Sequence, residues 1–185
     1  KKSGKDGGDY REYDAESDSD WEQPAAGEDS KYVNKCIGVE PTDSTDLHKD
    51  ERMKEFCDFV LEQHKSVMHP MGYVPQDLGF SGMWGVEQNK HGYHRQHYHP
   101  NNWMCGVFYV DTHEDDAIVF HDPRLRAGAI QPKTFDYNEY NTSINRFPSP
   151  EGKIYMFPHW LEHSVEPLVH DKTRISISWN IKENI

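Results

Sequence analysis

The sequence predicts a mainly β domain, a sandwich or barrel of the jelly-roll type, with a helix packed on its outside. Three observations carry that expectation. After Pro70 the chain breaks into short segments rich in aromatic and β-branched residues, separated by Gly, Pro, Asn and Asp. Before Pro70 one stretch places apolar residues at three- and four-residue spacing. The 185 residues, 35 % hydrophobic and 28 % charged, suffice for one core.

Residues 1–30 hold ten acids against four bases, half of the formal net charge of −12, and their large apolar groups are Tyr10, Tyr13 and Trp21. Such a segment buries too little surface to order itself, so it reads as an acidic N-terminal arm or tail. The sharper alternative is an arm docked on a neighbouring subunit or assembly partner, a homo-oligomer contact. The domain proper is expected over 31–185. From Ser44 to Met68 the pattern is helical. Ser44, Thr45 or Asp46 can cap it, and Asp46, Asp50 and Glu51 fall in its first turns, where the helix dipole favours them. Leu47, Met53, Phe56, Cys57, Val60, Leu61, His64 and Val67 form its apolar stripe, and Pro70 closes it. Strands are expected near 79–88, 93–99, 104–110, 117–121, 152–157, 163–169 and 173–182, so the barrel spans about 79–182. The polar, proline-rich stretch 122–151 reads as a lid or substrate loop inside it.

Several function classes are disfavoured at once. An acidic chain without a basic patch repels nucleic acid and anionic membrane. Its longest apolar runs are about five residues, against the ~20 that a membrane helix needs. No basic-then-apolar secretion signal opens it. Cys36, Cys57 and Cys105 are odd in number and widely spaced, which fits a reducing compartment better than a disulfide framework. A cytoplasmic location is expected, or a virion-associated one if the role is structural.

The chemistry is carried by histidines. His91, His94, His97 and His99 fall within nine positions. His97 and His99, two apart on an expected strand, project from one face and can reach one point, and imidazole suits iron, copper, zinc or nickel. Two exposed histidines on a polar strand are the plain alternative. Support comes from Gly152-Lys-Ile-Tyr-Met-Phe-Pro158-His-Trp-Leu-Glu-His163, which reads Gly-x5-Pro-x4-His. In a jelly roll it makes a strand, a tight turn and the start of another strand, with His163 at the barrel mouth. Eleven residues on, Arg174-Ile-Ser-Ile-Ser-Trp-Asn180 alternates, placing Arg174, Ser176 and Ser178 on one face and Ile175, Ile177 and Trp179 on the other. A solvent-facing strand with an incidental Arg would explain this. The functional reading is a buried guanidinium that grips a carboxylate in a bidentate fork, with the Ser176 hydroxyl beside it.

His-x-His, then Gly-x5-Pro-x4-His, then Arg-x-Ser in this order resembles the iron(II)/2-oxoglutarate-dependent dioxygenases. More closely it is similar to their small bacterial and phage members, which are themselves similar to prolyl hydroxylases. The likeness runs over about residues 80–182, through His97-Tyr-His-Pro-Asn, Gly106-Val-Phe-Tyr-Val, Ile118-Val-Phe-His-Asp-Pro-Arg124, Phe157-Pro-His-Trp-Leu-Glu-His163 and Arg174-Ile-Ser-Ile-Ser-Trp-Asn180. The resemblance implies a double-stranded β-helix (jelly roll, cupin-like) and a 2-oxoglutarate-dependent hydroxylase that uses iron(II), O2 and 2-oxoglutarate as cosubstrate. The substrate would be a small molecule or a protein side chain. It makes His97 the first iron ligand and His163 the distal one. It places Arg174, helped by Ser176 and the hydroxyl of Tyr109, on the far carboxylate of 2-oxoglutarate.

One position departs from that pattern. The family's usual triad is two His and one Asp or Glu, and here the carboxylate position holds His99. A third neutral ligand removes one negative charge from around the metal. Three readings stay open: a genuine three-His site, a site in which His99 binds while His97 stands behind it, or a degenerate one. Two rival functions follow, a cupin-type metal dioxygenase that does not use 2-oxoglutarate, and a non-catalytic jelly-roll assembly module. Smaller expectations concern Arg124 or Arg126, which could meet substrate or form a turn ion pair, and Trp84 and Trp103, which could wall the pocket or belong to the core. His91 and His94 are expected in a loop with Gly92. Cys105 is expected to point into the barrel as a small hydrophobe.

Overall fold

The computed structural model describes residues 37–74, 77–124, 132–138 and 140–184. The expected acidic arm over 1–30 lies outside them. Among the described residues there are eight strands and one α-helix. These are β1 (Ile37–Pro41), α1 (Lys54–Met68), β2 (Leu78–His97), β3 (Met104–Asp111), β4 (Ala117–His121), β5 (Ile144–Pro148), β6 (Ile154–Pro158), β7 (His163–Val165) and β8 (Arg174–Glu183). All strand pairings are antiparallel. One wall runs β1-β2-β8-β3-β6 and the other β2-β7-β4-β5, so the long strand β2 belongs to both. The fold is mainly β and of the jelly-roll, cupin-like kind.

Period-two alternation sorts the side chains of the first wall onto two faces. Met104, Phe108, Ile154, Met156, Ile177, Trp179 and Ile181 face α1, where they meet Phe56, Cys57, Val60 and Met68. Cys105, Val107, Tyr109, Tyr155 and Phe157 face the other way and pack with Ile118 and Phe120 of β4, which closes the barrel interior. Arg174, Ser176, Ser178 and Asn180 share that inward phase on β8. The interior therefore receives the polar residues of β8 while the helix covers the apolar ones.

Several boundaries differ from expectation: β1 was not expected, and β7 ends at Val165 where a strand to 169 was expected. The helix over 44–68 is an α-helix only from Lys54. Before it lie two 3-10 turns, Leu47–Lys49 and Glu51–Met53. Asp50 has extended backbone (ψ 124°), and its carboxylate accepts from the Arg52 amide, while the Thr45 carbonyl is taken by the Met83 amide of β2. Local side-chain and sheet-edge hydrogen bonds thus displace the first helical turns. The segments 79–88 and 93–99 are one strand, β2, with an irregularity at 89–92. There His91 has φ 66° and the Gln88 amide donates to the Gly92 carbonyl. His99 lies just past the end of β2 rather than on it. Inside the expected loop 122–151, residues 144–148 form β5 on β4. Residues 125–131 and 139, with Arg126, lie outside the description.

Candidate metal centre

His97 ends β2 and stands directly opposite His163, the first residue of β7. His99 follows two residues on, its amide donating to the His159 carbonyl in the turn between β6 and β7. One ring nitrogen from each of His97, His99 and His163 lies within 4.8 Å of the other two. The ring centroids are 4.3 Å apart for His97–His163 and 5.1 Å for each pair with His99. Two of the rings are fixed by backbone carbonyls. His97 Nδ1–H donates to Arg95 O at 2.7 Å and His163 Nδ1–H to Leu161 O at 3.0 Å. A carbonyl only accepts, so both Nδ1 atoms carry the proton and both Nε2 lone pairs remain available, which is how metal-ligating histidines are usually oriented.

Burial lowers the pKa of all three rings, to about 4 for His99 and about 3 for His163, so they are neutral near pH 7. Nε2 of His99 and Nε2 of His163 face each other at 3.2 Å. Two imidazoles bonded to one ion at about 2.1 Å and at right angles to each other would lie about 3 Å apart. Donor type, tautomer and spacing therefore fit a divalent transition metal. Phe157 and Phe120 flank His163, at 4.7 Å and 6.2 Å between centroids, and Trp84 lies 6.4 Å from His99.

A second polar group lies deeper in the same interior. Arg174, 3 % exposed, opens β8 opposite Gln88 of β2. It donates weakly to the Ala117 carbonyl at 3.5 Å and stands over the Tyr109 ring at 5.0 Å, while its Nε has no partner. The Tyr109 hydroxyl is also buried, beside the hydroxyl of Ser149 but without a well-aligned hydrogen bond, and burial raises its pKa. Ser176, likewise buried, pairs across the sheet with Tyr109 and Val86. Buried donors without acceptors are rare and costly, and here two of them share one place. They form a slot for an anion, and a carboxylate fits a guanidinium and a phenol together.

Of the remaining expected residues, Arg124 is engaged at 2.6 Å by Asp122 in the turn after β4, with its side chain 67 % exposed. Trp84 is half-buried beside His99. Trp103 lies at the barrel end, where its carbonyl accepts from the His159 amide. His91 and His94 are on β2 and not in a loop. His94 faces the site, with its ring 6.3 Å from His97, and burial next to His97 and Arg174 lowers its pKa to about 3. Gly92 masked it: a glycine beside a histidine reads as a turn, whereas the chain uses it to pass β1, where any Cβ would meet Gly38 O at 2.4 Å. The signal that could have found His94 is its odd-numbered spacing of three from His97 across a strand irregularity, which sequence does not announce.

Comparison with known proteins bears on the family and the fold. A family described as "Putative 2OG-Fe(II) oxygenase" matches residues 82–180. No curated protein matches. Among solved structures, HygX from Streptomyces hygroscopicus, with nickel and 2-oxoglutarate bound, is similar at TM-score 0.52 and 12 % identity, over 82 % of this chain and 72 % of that one. A Pseudomonas putida prolyl-4-hydroxylase gives TM-score 0.52 and 10 % identity, over 79 % and 72 %. An oxidoreductase of the 2OG-Fe(II) oxygenase family from Burkholderia pseudomallei gives TM-score 0.49 and 12 % identity, over 65 % of this chain, which spans half the length of that one. At these identities the structural likeness speaks to the fold alone. The family match is of another kind, since it covers more than half of the chain and includes His97, His99, His163, Arg174 and Asn180: the chain belongs to the 2OG-Fe(II) oxygenase family.

Proposed function

We propose that the protein is an iron(II)- and 2-oxoglutarate-dependent oxygenase, a hydroxylase of the prolyl-hydroxylase-like type. The single observation that carries the reading is the presence, in one barrel interior, of three convergent imidazoles and a buried guanidinium whose Nε lacks an acceptor. His97, His99 and His163 would hold iron, and Arg174, Tyr109 and Ser176 the far carboxylate of 2-oxoglutarate. Bound iron(II) and 2-oxoglutarate supply the activation of O2 and the transfer of a hydroxyl group to substrate. The chain's own part is orientation. The carbonyls of Arg95 and Leu161 hold two rings in the ligating tautomer. Arg174 would fix the far end of the cosubstrate by charge and fork geometry. Phe120 and Phe157 keep water from the inner side of His163.

The substrate would be a small molecule or a protein side chain. The net charge of −12 supports a target other than nucleic acid or an anionic membrane. Among the described residues no helix is long and apolar enough to cross a membrane. The free, buried Cys57 and Cys105, the latter with its thiol pushed up to about 12 by burial, support a reducing compartment, and we place the reaction in the cytoplasm.

The test is anaerobic titration of the iron(II)-loaded protein with 2-oxoglutarate, followed by the weak visible charge-transfer band of chelation. The band is expected in the wild type and not in Arg174→Ala. Bound iron without a band in the wild type would favour the cupin-type reading, and a protein that takes up no iron would favour the assembly role.

A further inference from the structure

A buried carboxylate lies close to the anion slot and takes no part in it. Asp116, its side chain 1 % exposed, closes the turn before β4. The next residue, Ala117, lends its carbonyl to Arg174 Nη1 at 3.5 Å. The charge of Asp116 reaches the Tyr109 hydroxyl, and the ring of Tyr109 lies 5.0 Å from the Arg174 guanidinium. A carboxylate this near a buried cation is its natural partner, since each charge alone is costly to bury. Yet among the described residues the two form no ion pair, and both carboxylate oxygens are taken by other donors. Oδ1 accepts from His170 Nε2 at 2.9 Å and Oδ2 from the His113 amide at 2.9 Å. A carboxylate only accepts, so His170 Nε2 carries the proton. The His170 ring is itself held, stacked on His113 with centroids 4.2 Å apart. Asp116 and His170 line a recess of about 110 Å3 together with Arg146, but that guanidinium pairs with Glu166 at 2.9 Å. Among the described residues His170 is thus the one cationic side chain that engages Asp116.

We infer that His170 is a positioning residue of the anion slot: it holds Asp116 away from Arg174 and so keeps the guanidinium open to a carboxylate from outside. The inference rests on the proposed function and adds to it a pair of residues that it does not use. Without the His170 N–H, Oδ1 of Asp116 loses its donor in a buried place. The guanidinium of Arg174, whose Nε lacks an acceptor, is the partner left to it. Rotation of one side chain then pairs Asp116 with Arg174 and closes the slot against 2-oxoglutarate. The apparent affinity falls with the fraction of molecules that stay open, about tenfold if one in ten does.

Anaerobic calorimetric titration of the iron(II)-loaded full chain with 2-oxoglutarate tests this on three variants, each checked for its fold by circular dichroism. His170→Ala is expected to bind 2-oxoglutarate on the order of tenfold more weakly than the wild type, with its iron affinity unchanged. His170→Gln keeps an N–H donor for Asp116 and is expected to stay within about threefold of the wild type. Adding Asp116→Asn to His170→Ala removes the competing charge and is expected to recover most of the loss. A merely structural role for His170 predicts the reverse, because the second substitution disturbs the same buried contact further. Equal 2-oxoglutarate affinity in His170→Ala and the wild type, or an undiminished defect in the double variant, overturns the inference and leaves the proposed function standing. Should His170→Ala fail to fold, Asp116→Asn alone decides: it is expected to bind 2-oxoglutarate at least as tightly as the wild type, and weaker binding overturns the inference. No binding of 2-oxoglutarate to the iron-loaded wild type overturns both.

Discussion

Tyr109 is fully buried, its hydroxyl lies beside that of Ser149 without a well-aligned hydrogen bond, and the face of its ring carries the Arg174 guanidinium. A buried hydroxyl with no well-aligned partner destabilises the ligand-free fold, so Tyr109→Phe is expected to leave the stability of the free protein unchanged or slightly higher. If that hydroxyl serves the cosubstrate, the same variant loses one hydrogen bond to a charged group, about 1.5–3 kcal/mol, or roughly 10- to 100-fold in 2-oxoglutarate affinity. Calorimetry of iron-loaded protein together with urea unfolding reads both quantities, and a variant that unfolds more readily while binding 2-oxoglutarate normally would remove Tyr109 from the slot. The inward face of Arg174 was legible in the alternation of its strand, and His163 in the Gly-x5-Pro-x4-His turn, while Tyr109 came from the family resemblance and from no local pattern. His94 was not. Its orientation depends on the irregularity at 89–92, where His91 turns to positive φ and the Gln88 side chain bridges to Gly92, and no local pattern encodes which face the chain resumes on.

At the scale of elements, α1 is joined to the barrel wall through Trp179. Its ring is fully buried, packs edge-on against Phe56 at 5.7 Å, and donates its indole N–H to His64 Nε2 at 2.9 Å. Across the sheet the partner of Trp179 is Gly106, and a Cβ there would lie 2.3 Å from the indole ring. Gly106→Ala must therefore displace the ring that holds helix to sheet, on the strand that also carries Tyr109. The expected cost is about 1–3 kcal/mol, seen as a lower urea midpoint, and an unchanged midpoint would mean that β3 shifts freely beneath the tryptophan. The helix stripe and the alternation of β8 were plain in the sequence, because α1 buries one face and β8 sends polar residues to the interior and apolar ones to the helix, whereas β3 is covered on both faces and shows no such alternation. The helix start and β5 were not plain either, for different reasons. Asp50 and Thr45 answer to hydrogen bonds with Arg52 and with the sheet edge at Met83. β5 has an exposed, mixed pattern (Ile144, Arg146 and Phe147 beside Asn145) and becomes a strand only by pairing with β4.

For the molecule as a whole, the two cores share one electrostatic trait, that both hold neutral histidine. His64 lies between α1 and β8, with its pKa lowered to about 4 by burial, and His94, His97, His99 and His163 are lowered in the barrel interior, also chiefly by burial. A base whose pKa falls on folding is protonated more readily in the unfolded chain. The stability it permits is therefore complete above the unfolded value of 6.5 and is lost as pH falls toward about 4. His64 suits a test because it is fully buried and remote from the metal ligands, and because its Nε2 must stay unprotonated to accept from Trp179. Between pH 7 and pH 5 it alone contributes a loss of about 2 kcal/mol. His64→Gln keeps an acceptor for the indole and does not titrate. Metal-free wild type is expected to lose stability to urea steeply between pH 7 and pH 5, and the variant by about 2 kcal/mol less over the same interval. Equal pH slopes would show that His64 is protonated as easily in the folded protein as in the unfolded chain, and that the contact between helix and barrel does not exclude the proton.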